Sequence, residues 1–167
     1  SERFHEKLAT PDVSIADLDK HEVEEIIWAY RDRIESLSRD RRFQYIKLFK
    51  NNGRSAGATL DHPHSQIVAL PIVPKRVQEE LEGAQKYFEY KERCVFCDIV
   101  NQERKEGRRV VEENERFIAF CPYASRFPFE VWILPREHQA HFGEITKDDI
   151  PFMARILQRT LFRIKAV

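Results

Sequence analysis

Apolar residues recur at helical spacing in three long stretches of the chain. Residues 20–38 and 75–91 carry apolar side chains three or four positions apart, with charged residues between them, which predicts two amphipathic helices. A third helix is predicted to begin with Thr146 as its N-cap and to run toward the end of the chain. The apolar positions of the three helices are Val23, Ile26, Ile27, Tyr30, Ile34 and Leu37, then Val77, Leu81, Ala84, Tyr87 and Phe88, then Phe152, Ile156, Leu157, Leu161 and Ile164.

Short runs rich in aromatic and β-branched residues predict strands between these helices. The runs are residues 43–49, 63–70, 109–113, 116–121 and 129–135. Residues 100–108 are charged and polar, and we expect an exposed loop there. Helices and strands do not alternate regularly, so the order predicts an α+β fold and not a doubly wound sheet.

The balance of charges narrows the classes of function. The 28 basic and 28 acidic residues cancel, so no overall positive field favours nucleic acid. No apolar run approaches the roughly 20 residues of a membrane helix. Three cysteines are an odd, sparse set, which indicates a reducing compartment such as the cytoplasm.

The strongest candidate for chemistry is the segment between the first two predicted strands. Gly53 and Gly57 stand among small residues, which allows backbone N–H groups to approach an anion such as phosphate. His62, His64 and Gln66 follow at alternate positions, and alternate side chains of a strand share a face. A histidine placed in this way can attack phosphorus as a nucleophile. The alternative is a His-Pro-His turn whose imidazoles lie in the core.

Two cysteines at the CxxC spacing provide a second candidate site. Cys94 and Cys97 are either a metal-ligand pair or a redox pair, and a structural zinc would need two further ligands. His138 and His141 are the nearest candidates in the sequence. A metal-free pair stays open as an alternative. Cys121 lies in an apolar run and is interpreted as a core thiol.

Three aromatic residues allow two interpretations. Phe127, Phe129 and Trp132 could form a platform for base stacking. The strand pattern around them and the neighbouring Pro128 favour the alternative, in which all three belong to the core.

Several motifs together resemble the galactose-1-phosphate uridylyltransferases, a family of the histidine-triad superfamily. They are Asn51-x-Gly53-x-x-x-Gly57-Ala-Thr59-x-x-His62-Pro-His64-Ser-Gln66-Ile67, Cys94-Val-Phe-Cys97-Asp-Ile, Cys121-Pro-Tyr-Ala-Ser-Arg-Phe-Pro-Phe-Glu-Val-Trp-Ile-Leu-Pro135 and His138. The resemblance implies parts of two tandem histidine-triad-like half-domains, each an antiparallel sheet with packed helices. Residues 1–74 would belong to the first half and residues 75–167 to the second. It also implies a homodimer.

The resemblance implies an activity as well. Such enzymes move a uridylyl group from UDP-glucose to galactose 1-phosphate by a ping-pong route, and His64 matches the histidine that becomes uridylylated. Asn51, Gly57, Thr59 and Gln66 match residues around the phosphates. A related nucleotide-sugar phosphorylase or adenylyltransferase is the alternative enzyme, and a zinc-stabilised nucleotide-binding module without catalysis is the alternative outside enzymes.

The resemblance also implies metal ligands. Cys94, Cys97 and His138 match ligands of a structural zinc, and His62 matches a ligand of a metal near the active site, with iron possible at one site. The chain is about half the family's usual length, and the family's first CxxC is absent. The family's fourth ligand of the cysteine site would lie beyond residue 167, so either His141 substitutes for it or the site stays incomplete.

Overall fold

The computed structural model describes the backbone of residues 4–9 and the full residues 14–51 and 64–167. Within these residues it contains helices and two antiparallel sheets, which confirms the α+β, histidine-triad-like class. The elements are β1 (Phe4–Ala9), α1 (Lys20–Ser38), β2 (Tyr45–Asn51), β3 (His64–Leu70), α2 (Lys75–Lys91), α3 (Val95–Glu106), β4 (Val110–Glu113), β5 (Phe117–Phe120), β6 (Trp132–Pro135) and α4 (Ile150–Lys165), with short 3₁₀ turns at Ile15–Asp17 and Phe142–Glu144.

The first sheet has the strand order β1-β3-β2, and all its pairings are antiparallel. α1 packs on one face of this sheet, where Leu37 contacts the buried Ile67 and Ala69 of β3. The start of α1 is fixed by a capping box, in which the side chain of Asp19 accepts from the Glu22 amide while the Glu22 carboxylate accepts from the Asp19 amide. The predicted helix and strand pattern is therefore confirmed here.

The second sheet has the order β4-β5-β6, and helices cover both of its faces. Phe117 and Ala119 of β5 belong to the core beside α4, whereas Ile118 and Phe120 pack with Val100 of α3. Because successive strand residues point to opposite faces, all four residues of β5 are buried.

The two sheets are joined by helix packing, since α1 and α4 share one hydrophobic core. Val23 and Ile27 of α1 belong to the same cluster as Ile150, Ala154 and Ile156 of α4. The predicted division between residues 74 and 75 stays a prediction. The first sheet precedes this point in the chain and the second sheet follows it, but the core shared by α1 and α4 contains residues from both parts.

The prediction of a loop at residues 100–108 is wrong, because α3 runs through Glu106 and ends at Gly107 with φ 69°. Val100 is buried against the second sheet and Glu103 is buried as well, whereas Arg104, Lys105 and Glu106 lie on the exposed outer side of an amphipathic helix. α2 has the predicted bounds, yet none of its residues is buried, and Leu81 and Phe88 are 59% and 56% exposed.

Two predictions after β5 need correction. Phe127 and Phe129 are exposed and not core residues, because β6 begins only at Trp132 and the preceding turn holds Phe129 at φ 62°. Trp132 itself is half-buried. α4 begins at Ile150 and not at Thr146, whose amide and hydroxyl both donate to the Asp149 carboxylate in a turn before the helix.

In the described part of the chain, every helix is too short or too polar to cross a bilayer.

Candidate active site and metal centre

His64 is the first residue of β3 and is 3% exposed. In the antiparallel register Asn51 of β2 lies directly opposite His64, and Phe49 lies opposite Gln66. Paired residues of adjacent strands share a face, and so do alternate residues of one strand. His64, Gln66 and Asn51 therefore lie on the face of the first sheet that points away from α1.

Ser65 occupies the opposite face, between His64 and Gln66 in sequence. It is fully buried, and its hydroxyl forms a hydrogen bond with the hydroxyl of Tyr30 of α1. Burial raises the pKa of Tyr30 above its usual range. Apolar spacing assigns Tyr30 to the inner side of a helix but does not predict this pair. The available signal is a serine among the strand's buried apolar positions.

The remaining predicted residues of this site lie outside the described residues. Gly53, Gly57, Thr59 and His62 all fall within residues 52–63. Their predicted roles around phosphate and metal therefore stay predictions.

The described part of the site combines the imidazole of His64 with the side-chain amides of Asn51 and Gln66. An imidazole nitrogen can attack phosphorus, and amide groups can donate hydrogen bonds to the non-bridging oxygens of a phosphate. Asn51 and Gln66 supply such amides on the face that carries His64. The arrangement is suited to transfer of a phosphorus-containing group through a covalent histidine intermediate.

The second candidate site lies at the beginning of α3. Cys94 is the N-cap of this helix, Cys97 lies in its first turn, and His138 follows β6. The three potential ligand atoms lie within 4.8 Å of one another, and Cys97 Sγ is 3.3 Å from His138 Nδ1. The predicted trio is therefore brought together in space.

The donor set fits a tetrahedral metal ion. With Zn–S near 2.3 Å and Zn–N near 2.0 Å, a sulfur and a nitrogen on one tetrahedral zinc lie about 3.5 Å apart, close to the Cys97–His138 separation. Burial and the neighbouring Cys94 raise the pKa of the Cys97 thiol above its usual range, so a cation would have to stabilise its thiolate. A metal can therefore be held here, and the described residues supply three ligands.

His141 does not join this group. It is the N-cap of the 3₁₀ turn Phe142–Glu144, and its Nδ1 accepts a hydrogen bond from the Gly143 amide at 3.0 Å. His141 is not among the donor atoms that lie within 4.8 Å of one another, so the described residues do not support the expectation that it supplies the fourth ligand. Cys121 is half-buried and likewise lies outside the cluster.

Comparison with known sequences identifies the family of this chain, which carries His64 on β3 and the Cys94/Cys97 pair at the start of α3. The model of the galactose-1-phosphate uridyl transferase N-terminal domain matches residues 7–74, and the model of the C-terminal domain matches residues 80–165. The chain belongs to the galactose-1-phosphate uridylyltransferase family.

Individual relatives agree with this assignment. ADP-glucose phosphorylase of Arabidopsis thaliana is 38% identical over 138 residues, which cover 83% of this chain and 37% of that protein. Galactose-1-phosphate uridylyltransferase of Thermotoga maritima is 36% identical over 137 residues, which cover 82% of this chain and 42% of that protein. The chain thus spans about 40% of the length of these relatives.

A solved structure shows the same fold. The crystal structure of ADP-glucose phosphorylase from Arabidopsis thaliana with bound ADP-glucose superimposes with a TM-score of 0.85 at 33% identity. The match covers 95% of this chain and 50% of that one.

Proposed function

We propose that this chain carries out nucleotidyl transfer between a nucleotide sugar and a hexose 1-phosphate through a covalent nucleotidyl-His64 intermediate. The observation that carries the proposal is the placement of His64 directly across the strand pair from Asn51, with Gln66 on the same face. Membership of the uridylyltransferase family supports UDP-glucose as donor and galactose 1-phosphate as acceptor.

The reaction has two balanced steps. In the first, an imidazole nitrogen of His64 attacks the phosphorus next to the nucleoside, and the bond from that phosphorus to the bridging oxygen breaks. The sugar 1-phosphate leaves with the electron pair of that bond. In the second, a phosphate oxygen of the incoming hexose 1-phosphate attacks the same phosphorus, and the P–N bond breaks to restore the imidazole.

The polar neighbours have separate roles in this scheme. The side-chain amides of Asn51 and Gln66 are proposed to donate hydrogen bonds to the non-bridging phosphate oxygens. The backbone N–H of Gly57 and the hydroxyl of Thr59 would donate to the same oxygens. Such donors act most strongly where water is excluded, and removing one typically costs about a hundredfold to a thousandfold in rate.

The first step is tested by intact-mass spectrometry after incubation with UDP-glucose. We expect a mass gain of one uridylyl group per chain for the wild type and none for His64→Ala. His21→Ala is the matched control, because His21 lies on the exposed side of α1 and should label like the wild type. A wild-type chain that never gains this mass would contradict the proposal and favour the non-catalytic nucleotide-binding module.

An ADP-glucose phosphorylase activity is the second candidate, favoured by the Arabidopsis relative and by its structure with bound ADP-glucose. The same His64 intermediate would carry an adenylyl group, and inorganic phosphate would be the acceptor. Labelling with ADP-glucose in preference to UDP-glucose, followed by release with phosphate in preference to galactose 1-phosphate, would select this alternative.

We further propose that Cys94, Cys97 and His138 hold a structural zinc ion. Their donor atoms and spacing support zinc, which contributes to folding by joining the start of α3 to the segment after β6. His62 as a second metal ligand and assembly as a homodimer also belong to this proposal as family expectations.

Metal analysis tests the zinc site. The purified wild type should contain zinc in proportion to protein, and Cys94→Ser and Cys97→Ser should each lose most of it. Cys121→Ser is the control and should retain the wild-type content, because Cys121 lies outside the cluster. Equal zinc content in all four proteins would show that the zinc binds elsewhere. Iron instead of zinc, in proportion to protein, would show that the site holds iron.

A further inference from the structure

A cleft of about 400 Å³ opens between α3 and the end of β5, on the second sheet. His64 lies on the first sheet, so the cleft is separate from the candidate active site. Its lining combines aromatic, apolar and charged side chains from Ile99, Glu103, Arg109, Phe120, Tyr123 and Trp132. The volume lies in the range typical of small-molecule sites.

The apolar part of the cleft is made of aromatic rings. Phe120 is fully buried, and its ring meets Trp132 edge to face with centroids 6.0 Å apart. Tyr123 is 87% exposed, and its ring lies 5.4 Å from the Arg109 guanidinium carbon. Aromatic faces and a guanidinium plane are the groups on which proteins stack planar heterocycles.

The orientation of Trp132 is fixed from outside the cleft. Its indole Nε1 donates to Glu130 Oε1 at 3.0 Å, and the other oxygen of Glu130 accepts from the Arg126 amide at 2.6 Å. These bonds lower the pKa of Glu130, so the carboxylate stays charged and holds the loop before β6. The ring is thus preorganised, which reduces the cost of binding.

The polar part of the cleft is the carboxylate of Glu103, which is 4% exposed. It accepts hydrogen bonds from Arg109 Nε at 3.0–3.1 Å and from Nη2 at 2.9 Å. These contacts come from two N–H groups, and an ionised carboxylate has about four acceptor positions, so acceptor capacity remains for a ligand donor. An amino group on a planar ring would meet this requirement.

We propose that this cleft binds an amino-substituted heteroaromatic ligand of the adenosine or cytidine type. Tyr123 and Trp132 supply the stacking surfaces, and Glu103 accepts from the exocyclic amino group. Uridine lacks that amino group and should bind more weakly. The proposal is independent of the reaction assigned to His64, because it concerns another sheet and other residues.

Fluorescence of Trp132 provides the test. The chain has two tryptophans, so Trp28→Phe leaves Trp132 as the single reporter in the cleft. In this background, adenosine should give a saturable change in emission, and uridine should need a higher concentration. Adding His64→Ala should leave the titration unchanged, which separates this site from the candidate active site.

Three further substitutions in the same background complete the test. Tyr123→Ala should weaken adenosine binding about tenfold, as expected from loss of one stacking face. Phe127→Ala is the control from the same exposed loop and should bind like the parent. Glu103→Gln should reduce the preference for adenosine over uridine; because it also alters the pair with Arg109, its fold is checked by circular dichroism.

The absence of a saturable signal with adenosine would overturn the proposal. So would a signal that is lost in the His64→Ala variant and retained in Tyr123→Ala. Equal affinity for adenosine and uridine in the parent would overturn the role assigned to Glu103.

Discussion

The two sheets of this protein have three antiparallel strands each, but their faces are used differently. In the first sheet, α1 covers the face with Ile67 and Ala69, and the other face of β3 carries His64 and Gln66. In the second sheet, α3 and α4 cover opposite faces, and every residue of β5 is buried.

This difference determines where polar side chains can lie on each sheet. A strand that packs apolar residues on one face can present polar side chains on the other, as β3 does with His64 and Gln66. A strand covered on both faces, such as β5, has its side chains committed to packing, so the polar groups beside it come from other elements. Cys94 is the N-cap of α3, Glu103 lies within that helix, and His138 follows β6.

The largest expected effect on stability is in the strand covered on both faces. Phe120→Ala should lower the free energy of unfolding by about 3–5 kcal/mol, because it removes a buried ring from between α3 and the sheet. Urea denaturation measures this loss. Phe127→Ala, at a ring that is 66% exposed, should stay within about 0.5 kcal/mol of the wild type. Similar losses for both variants would contradict the difference in packing.

A smaller effect is expected behind β3. Tyr30→Phe removes one partner of the buried pair with Ser65, and it should cost about 1–3 kcal/mol because the remaining hydroxyl is left in an apolar setting. Ser65→Ala combined with Tyr30→Phe should cost less than the two single losses added together. Strict additivity would show that the two hydroxyls are not coupled.

The same pair predicts a pH dependence. Burial raises the pKa of Tyr30 in the folded state, so the neutral phenol is favoured there. Its contribution is fully present below the unfolded pKa, which is about 10, and is lost as the pH rises through the folded value. Between neutral pH and pH 11, the wild type should therefore lose more stability than Tyr30→Phe. An equal loss would mean that Tyr30 titrates normally.

The smallest effect is expected in α2, which stands between the two sheets in sequence. Phe88→Ser should change the free energy of unfolding by no more than about 0.5 kcal/mol, because the ring is 56% exposed. A loss of several kcal/mol would show that another surface covers this helix in solution. The measurement therefore tests whether the exposed side of α2 contributes to the free energy of unfolding.

Much of the fold was predictable where apolar spacing was long and regular. α1 and α2 have the predicted bounds, and β2 and β3 lie within two residues of theirs. The loop prediction at α3 is wrong because most of its charged residues form the outer side of a helix, and the one that is buried, Glu103, is paired with Arg109. The prediction that Phe127 and Phe129 are core residues is wrong because aromatic content alone does not distinguish a strand from an exposed turn.

The candidate site shows the same limit of sequence patterns. The pair Cys94 and Cys97 could be named from its CxxC spacing, but spacing left His138 and His141 as equal candidates, and only the family resemblance singled out His138. The grouping of His138 with the cysteines depends on the fold after β6, and the Tyr30–Ser65 pair joins residues 35 positions apart. Neither contact leaves a periodic signal in the chain.

The shared core of α1 and α4 has a consequence for biosynthesis. Val23 and Ile27 leave the ribosome more than a hundred residues before the side chains of α4 that bury them. Until then the part of α1 that packs on α4 lacks this partner, although β2 and β3 can already cover Leu37, and contacts of such long sequence separation form slowly. Completion of the shared core therefore waits for the synthesis of α4.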